Sequence, residues 1–210
     1  MRKSGTDKLE GAYALKTPQD NAAYYRDFSD SYDQGFAAEL GYVYPRRVAE
    51  LYLAEAGPGD VPVLDVGAGT GLLAEWLPGI EVDGIDISAE MLEKAAAKGL
   101  YRRRIVADLT QPLDLPADSY GALVSSGTFT HGHLGPEVLG ELLRIARPGA
   151  LFCLGINLAI YDTAGFAAAF ARLVRQRAVT ALNFREIMIY EGADHAHAQD
   201  RCTVAWFRKL

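Results

Sequence analysis

The most constraining stretch of this chain is Val63-Leu64-Asp65-Val66-Gly67-Ala68-Gly69-Thr70-Gly71. Apolar, β-favouring residues run from Val61 to Val66, and glycines then alternate at 67, 69 and 71. Leu72-Leu73-Ala74-Glu75-Trp76-Leu77 follows and reads as a helix. A buried strand that ends in a glycine turn at a helix start is the opening unit of a nucleotide-binding α/β sheet. Glycines let backbone N–H groups approach a ligand with no Cβ in the way, and a helix start favours negative charge. The same glycines also suit a joint shaped by geometry alone, so the turn in isolation leaves both readings open.

The turn departs from the dinucleotide fingerprint, which needs a glycine or alanine at its sixth position for close helix–strand packing. That position is Leu72, which disfavours an oxidoreductase using a nicotinamide cofactor. A second apolar run, Ile80-Glu81-Val82-Asp83-Gly84-Ile85, ends in Asp86. A carboxylate at such a strand tip can accept hydrogen bonds from both hydroxyls of a ribose. Asp108 closes a third run, Ile105-Val106-Ala107. Three successive strand ends thus carry polar groups at the edge where open α/β sheets bind ligands.

Together these stretches resemble the class I S-adenosylmethionine-dependent methyltransferases. The matching phrases are VLDVGAGTG at 63–71, GIDIS at 84–88 with MLEKA from Met91, ADL at 107–109 and RIARPGALFCLGI at 144–156. Within that class the chain is most similar to the Williams–Beuren-syndrome-region methyltransferase-like proteins. They share Tyr32-Asp33-Gln34, Gly99-Leu100-Tyr101, and Glu141-Leu142-Leu143-Arg144-Ile145 ahead of Arg147-Pro148-Gly149. The resemblance implies an α/β, Rossmann-like three-layer sandwich whose seven-stranded, mostly parallel sheet is ordered 3-2-1-4-5-7-6, with strand 7 antiparallel. It also implies S-adenosyl-L-methionine as cofactor, S-adenosyl-L-homocysteine as product and methyl transfer to an acceptor; a modest chain without a large inserted substrate domain suggests a small molecule, with a protein side chain as the other option. The backbone of Gly67 and Gly69 would then lie near the methionine portion, with Asp65 orienting the turn or reaching the amino group through water. Asp86 would hold the ribose, Ile87 and Met91 the adenine faces, Asp108 the adenine amino edge, and Leu109 would cover the ring. Ala68, Gly71 and Ser126 complete the implied cofactor-binding set. A non-catalytic cofactor-binding module on the same fold is the alternative.

At 210 residues, half of them hydrophobic, the chain suits one α/β domain with a sizeable core. A net charge of −6 argues against a nucleic-acid partner. Cys153 and Cys202 fall in apolar runs and read as buried thiols of a reducing compartment. No apolar run has the length of a membrane span, and Met1–Asp7 has no apolar segment behind it that would make a signal peptide. These features predict a cytoplasmic protein.

Residues 1–20 are polar and predict a flexible segment, and residues 21–57 a helical lid on a domain spanning 21–210. Tyr24, Tyr25, Phe28 and Tyr32 recur at helical spacing. That pattern suits an aromatic face docked on the core. In the reading the family suggests, Tyr32 instead lies near the sulfonium and stabilises it. A helix from Pro45 to Ala56 carries Arg46, either solvated or reaching a cofactor carboxylate. After the fourth strand come His131 and His133. Both suit polar loop residues shaping a pocket wall; His131 is also the candidate general base, since histidine titrates near neutrality, whereas His-x-His without a third ligand is a weak metal motif. His195 and His197 repeat that spacing in an expected solvent loop. No metal site is expected.

Overall fold

The computed structural model describes residues 39–192 and 194–210 and, ahead of them, Gly11, Tyr24 and Ala37. Seven strands form one sheet: β1 (Val63–Val66), β2 (Val82–Asp86), β3 (Arg104–Val106), β4 (Tyr120–Phe129), β5 (Ala146–Asn157), β6 (Asn183–Met188) and β7 (Arg201–Arg208). Their order is β3-β2-β1-β4-β5-β7-β6. Strands β1 to β5 pair in parallel, and β7 runs antiparallel to both β5 and β6. This is the order that the resemblance implies. From β1 the chain steps outward to β2 and β3, then returns to the other side of β1 to form β4. The carboxyl ends of β1 and β4 therefore flank the switch point where such sheets open a crevice.

The central strands β1, β4 and β5 are mainly apolar and buried because both faces are covered, whereas the edge strands β3 and β6 are largely exposed. Side chains alternate across a strand, so neighbouring residues enter different cores. Val63, Ala122, Val124, Leu151 and Cys153 pack with Val48 and Tyr52 of α1 (Tyr44–Glu55) and Leu92 and Ala95 of α2 (Ala89–Lys98). Leu64, Val66, Leu123, Phe152 and Leu154 pack on the opposite face with Leu142 of α3 (Leu139–Ile145), Ile160 of α4 (Leu158–Tyr161) and Phe170 of α5 (Phe166–Arg175). Both ends of α2 are set by local signals. Ser88 caps it by accepting from the Met91 N–H at 3.2 Å, and Gly99 ends it with φ +66°.

One local expectation is corrected. The stretch after the glycine turn is a single 3-10 turn, Ala74–Trp76, rather than a helix. Pro78 stands four residues after Ala74 and brings no N–H to its carbonyl, so Leu77 closes the tighter bond to Ala74 at 3.0 Å instead. The N-cap of α5 is Gly165, with φ +86°. Tyr161 packs against Phe166, Phe170 and Phe184. Arg103 and Arg104 are exposed, whereas Arg102 is engaged at a buried carboxylate. Its guanidinium donates twice to the fully buried Asp83, at 2.9 and 3.0 Å, and the Tyr120 hydroxyl donates to the same carboxylate at 3.0 Å.

Candidate cofactor site

At the carboxyl edge of the sheet, Asp86 ends β2 beside the turn that follows β1. One of its oxygens accepts from the Gly69 N–H at 2.8 Å and the other from the Ser88 N–H at 2.8 Å. Burial raises its proton affinity, while these amides and that of Ile87 pull the other way. The carboxylate is thus held in one orientation, and each oxygen keeps a further lone-pair direction. The turn's amides are already committed, contrary to the simplest expectation for a glycine loop. Gly67 and Ala68 both donate to the Ile85 carbonyl, at 2.9 and 3.0 Å, and Gly69 donates to Asp86.

What the glycines supply is space. Gly67 has φ +72°, and a Cβ there would collide with the Thr128 hydroxyl. That hydroxyl is itself fixed on the Val66 carbonyl at 3.0 Å, beside a second bond from Ser125 at 2.7 Å. Gly69, with φ +52°, faces open room, the nearest atom to an added Cβ being the Met91 methyl at 3.7 Å. Gly71 turns the other way, toward Leu100, Ala95 and Tyr101, and lines neither of the cavities described next.

Two cavities meet at the turn. The larger is lined by Gly67, Gly69 and Asp86, by Ile87 and Met91 after β2, and by Ala107, Asp108 and Leu109 after β3. Ser126, Thr128, His133 and Leu134 also line it. Asp108 is oriented by Thr110, whose N–H and hydroxyl donate to one of its oxygens at 2.9 and 2.7 Å. The smaller cavity lies on the α1 side of the turn and is lined by Tyr42, Asp65, Ala68 and Thr70, sharing Gly67, Gly69 and Ser126 with the first. Asp65 is buried there, and desolvation pushes its carboxyl up to about 7.

Every cofactor-binding residue expected from the sequence within the described part of the chain therefore lines one cavity or the other, except Gly71. Tyr32 lies outside the described residues. His131 is not among the lining residues; its carbonyl instead holds His133, which is. That carbonyl can only accept, so His133 Nδ1 is the donor, at 2.8 Å, and Nε2 is the basic nitrogen of the neutral ring. Burial lowers the His133 pKa, which keeps the ring neutral at pH 7. Of this pair, the sequence analysis singled out His131, whereas the cavity is lined by His133. It also passed over Thr128, whose signal was its place at the end of the central strand. Arg46 turns from the site to Glu191, at 3.4 Å, and lies over Trp76. Asn157 caps α4 through the Ala159 N–H at 2.9 Å. His197 pairs with Asp200 at 3.0 Å, and among the described residues no cluster suits a metal ion.

The donor set suits a ligand with a flat apolar ring, a ribose and a charged tail: an apolar slot, a preset carboxylate at its lip, and a second carboxylate beyond the glycine turn. With the order of the sheet, it is the arrangement that the resemblance to the class I S-adenosylmethionine-dependent methyltransferases implies. Residues 64–154 match the family model described as "Methyltransferase domain". Methyltransferase-like protein 27 of Homo sapiens is 34% identical over 154 residues, which cover 70% of this chain; the chain spans 62% of that protein's length. A S-adenosylmethionine-dependent methyltransferase of Thermotoga maritima superposes with a TM-score of 0.62 at 16% identity, covering 89% of this chain and 98% of that one. The [4+2]-cyclase SpnF superposes at 0.67, also at 16% identity, over 93% and 97% of the two chains. Likeness at that distance concerns the fold.

Proposed function

We propose that this chain binds S-adenosyl-L-methionine across the two cavities and transfers its methyl group to a small-molecule acceptor. The observation that carries this reading is Asp86, fixed by two backbone amides at the lip of a slot walled by Ile87, Met91 and Leu109. The cofactor supplies an activated methyl group on a cationic sulfur, open to attack by an acceptor lone pair. Asp86 accepts from the ribose hydroxyls, and Asp108, oriented by Thr110, accepts from the adenine amino edge. Gly67 and Gly69 admit the ligand by lacking side chains, and Asp65 faces its charged tail. His133, neutral and presenting Nε2, takes a proton from the acceptor where the attacking atom carries one. The remaining contribution of the chain is alignment and exclusion of water.

Among the described residues no crossover carries an inserted domain, which favours a small acceptor. The net charge of −6 disfavours nucleic acid. None of the described helices is long and apolar enough to cross a membrane. The free, buried Cys153 and Cys202 suit a reducing, cytoplasmic setting. The test is parallel calorimetric titration with S-adenosylmethionine, S-adenosylhomocysteine and NADH, followed by an assay for S-adenosylhomocysteine formed in the presence of candidate acceptors. Micromolar binding of both sulfur ligands, about −8 kcal/mol, with none for NADH, is expected. Asp86→Ala should abolish most of that affinity, and unchanged binding would remove the ribose assignment. Binding without turnover on any acceptor would instead favour a cofactor-binding module.

A further inference from the structure

Tyr101 lies between α2 and β3, outside both cavities, yet it touches the site from beneath. Its hydroxyl donates to one oxygen of Asp65 at 2.7 Å and approaches the Ala68 carbonyl at 3.4 Å. Both residues are buried. The contact exists because of two glycines. Gly84 pairs in register with Asp65 on the neighbouring strand, and a Cβ there would stand 2.8 Å from the Tyr101 ring. Gly71 leaves the ring room from above, at 3.5 Å. Other oxygen-bearing groups around Asp65 are Asp86 at the tip of β2 and Tyr42 ahead of α1, while Glu75 on the 3-10 turn bears on Tyr101. No cation is among these groups, and the hydrogen bond from the Tyr101 hydroxyl favours charge on Asp65.

We propose that Tyr101 is a positioning residue: by fixing one oxygen of Asp65, its hydroxyl keeps that carboxylate charged and turned to the cavity beyond the glycine turn, and so sets how tightly a cation-bearing ligand is held. The inference rests on the cofactor reading above, whose ligand carries an ammonium group. Burial works against charge on Asp65 and brings its titration to about 7, while Tyr101, pushed well above its ordinary value by burial, stays a donor throughout. Affinity therefore rises with pH across neutrality. Between about pH 6 and pH 8 the ionised fraction of such a group grows about tenfold, and affinity should follow.

The test uses the full chain, wild type, Tyr101→Phe and Asp65→Asn. The Asp65 carboxyl is first titrated by carbon NMR without ligand, and S-adenosylhomocysteine binding is then measured by calorimetry from about pH 6 to pH 9. In Tyr101→Phe the Asp65 midpoint should move upward by about one pH unit. Affinity should then fall several-fold at neutral pH and converge on wild type near the alkaline end. Asp65→Asn should flatten the pH dependence. A loss in Tyr101→Phe that is equal at every pH would mean a packing role alone and overturn the proposal, as would an unmoved Asp65 midpoint. Absence of binding in wild type at every pH would overturn the cofactor reading, and the ligand-free titration would still decide the link between Tyr101 and Asp65.

Discussion

Asp65→Asn should make the ligand-free protein more stable at pH 8 and should cancel a slope in its stability against pH. In the folded chain the carboxyl is buried and titrates at about 7, against a value of 3.8 when unfolded. Between these limits the native state holds a proton that the unfolded chain has released, so wild-type stability rises as pH falls through 7 toward 4. At roughly 1.4 kcal/mol per pH unit the full gap is worth about 4 kcal/mol. Asparagine keeps an oxygen for the Tyr101 hydroxyl but adds a buried N–H donor, which takes back about 1–3 kcal/mol. The variant should thus exceed wild type by about 2 kcal/mol at pH 8, and the advantage should vanish or reverse near pH 4. Urea unfolding of both proteins, followed by far-ultraviolet circular dichroism at several pH values, measures the difference. Other titrating groups cancel in that difference, including Glu141 and Glu191, whose carboxyls arginine neighbours hold below their ordinary values. A difference between variant and wild type that stays constant from pH 4 to pH 8 would refute the reasoning, because Asp65 would then carry the same charge in both states.

Three further outcomes are expected. Gly67→Ala should cost clearly more than the roughly 1–2 kcal/mol of a left-handed alanine, because its methyl group meets Thr128; Gly79→Ala, at φ +78° with open space around it, should show the backbone cost alone, and thermal melting compares the two. With an active acceptor in hand, kcat/KM should fall as pH drops below the ordinary histidine range, since burial has lowered the His133 pKa; His133→Asn should remove that acidic limb and His131→Ala should keep it. Arg102→Met strips the buried Asp83 of two hydrogen bonds and leaves it that of Tyr120. Because Arg102 is itself partly exposed, the loss should be about 1–3 kcal/mol, and urea unfolding at neutral pH reads it.

What could be read from the chain alone is what neighbouring residues decide among themselves. The apolar runs ending at Val66 and Asp86, the glycines that allow the positive φ values of the turn, the cap at Ser88 and the stop at Gly99 all follow from chemistry within a few residues. The strand order came from the resemblance of those motifs in sequence, not from any one of them. The arrested helix before Pro78 was also legible in principle, since proline ends the hydrogen-bond ladder four residues back. Other features depended on the assembled sheet. Arg102 finds Asp83 and Tyr120 only because β2 lies beside β3 and β4 ends up close by. Tyr101 reaches Asp65, 36 residues earlier in the chain, only because the register sets Gly84 next to it. Whether His131 or His133 faces the cleft is decided by how the end of β4 turns, and whether a turn amide is free for a ligand depends on Ile85 and Asp86 one strand away. Local sequence determines which groups stand at a strand end, but the directions in which they point and the partners that occupy them depend on long-range pairing, which exists only once the sheet has closed.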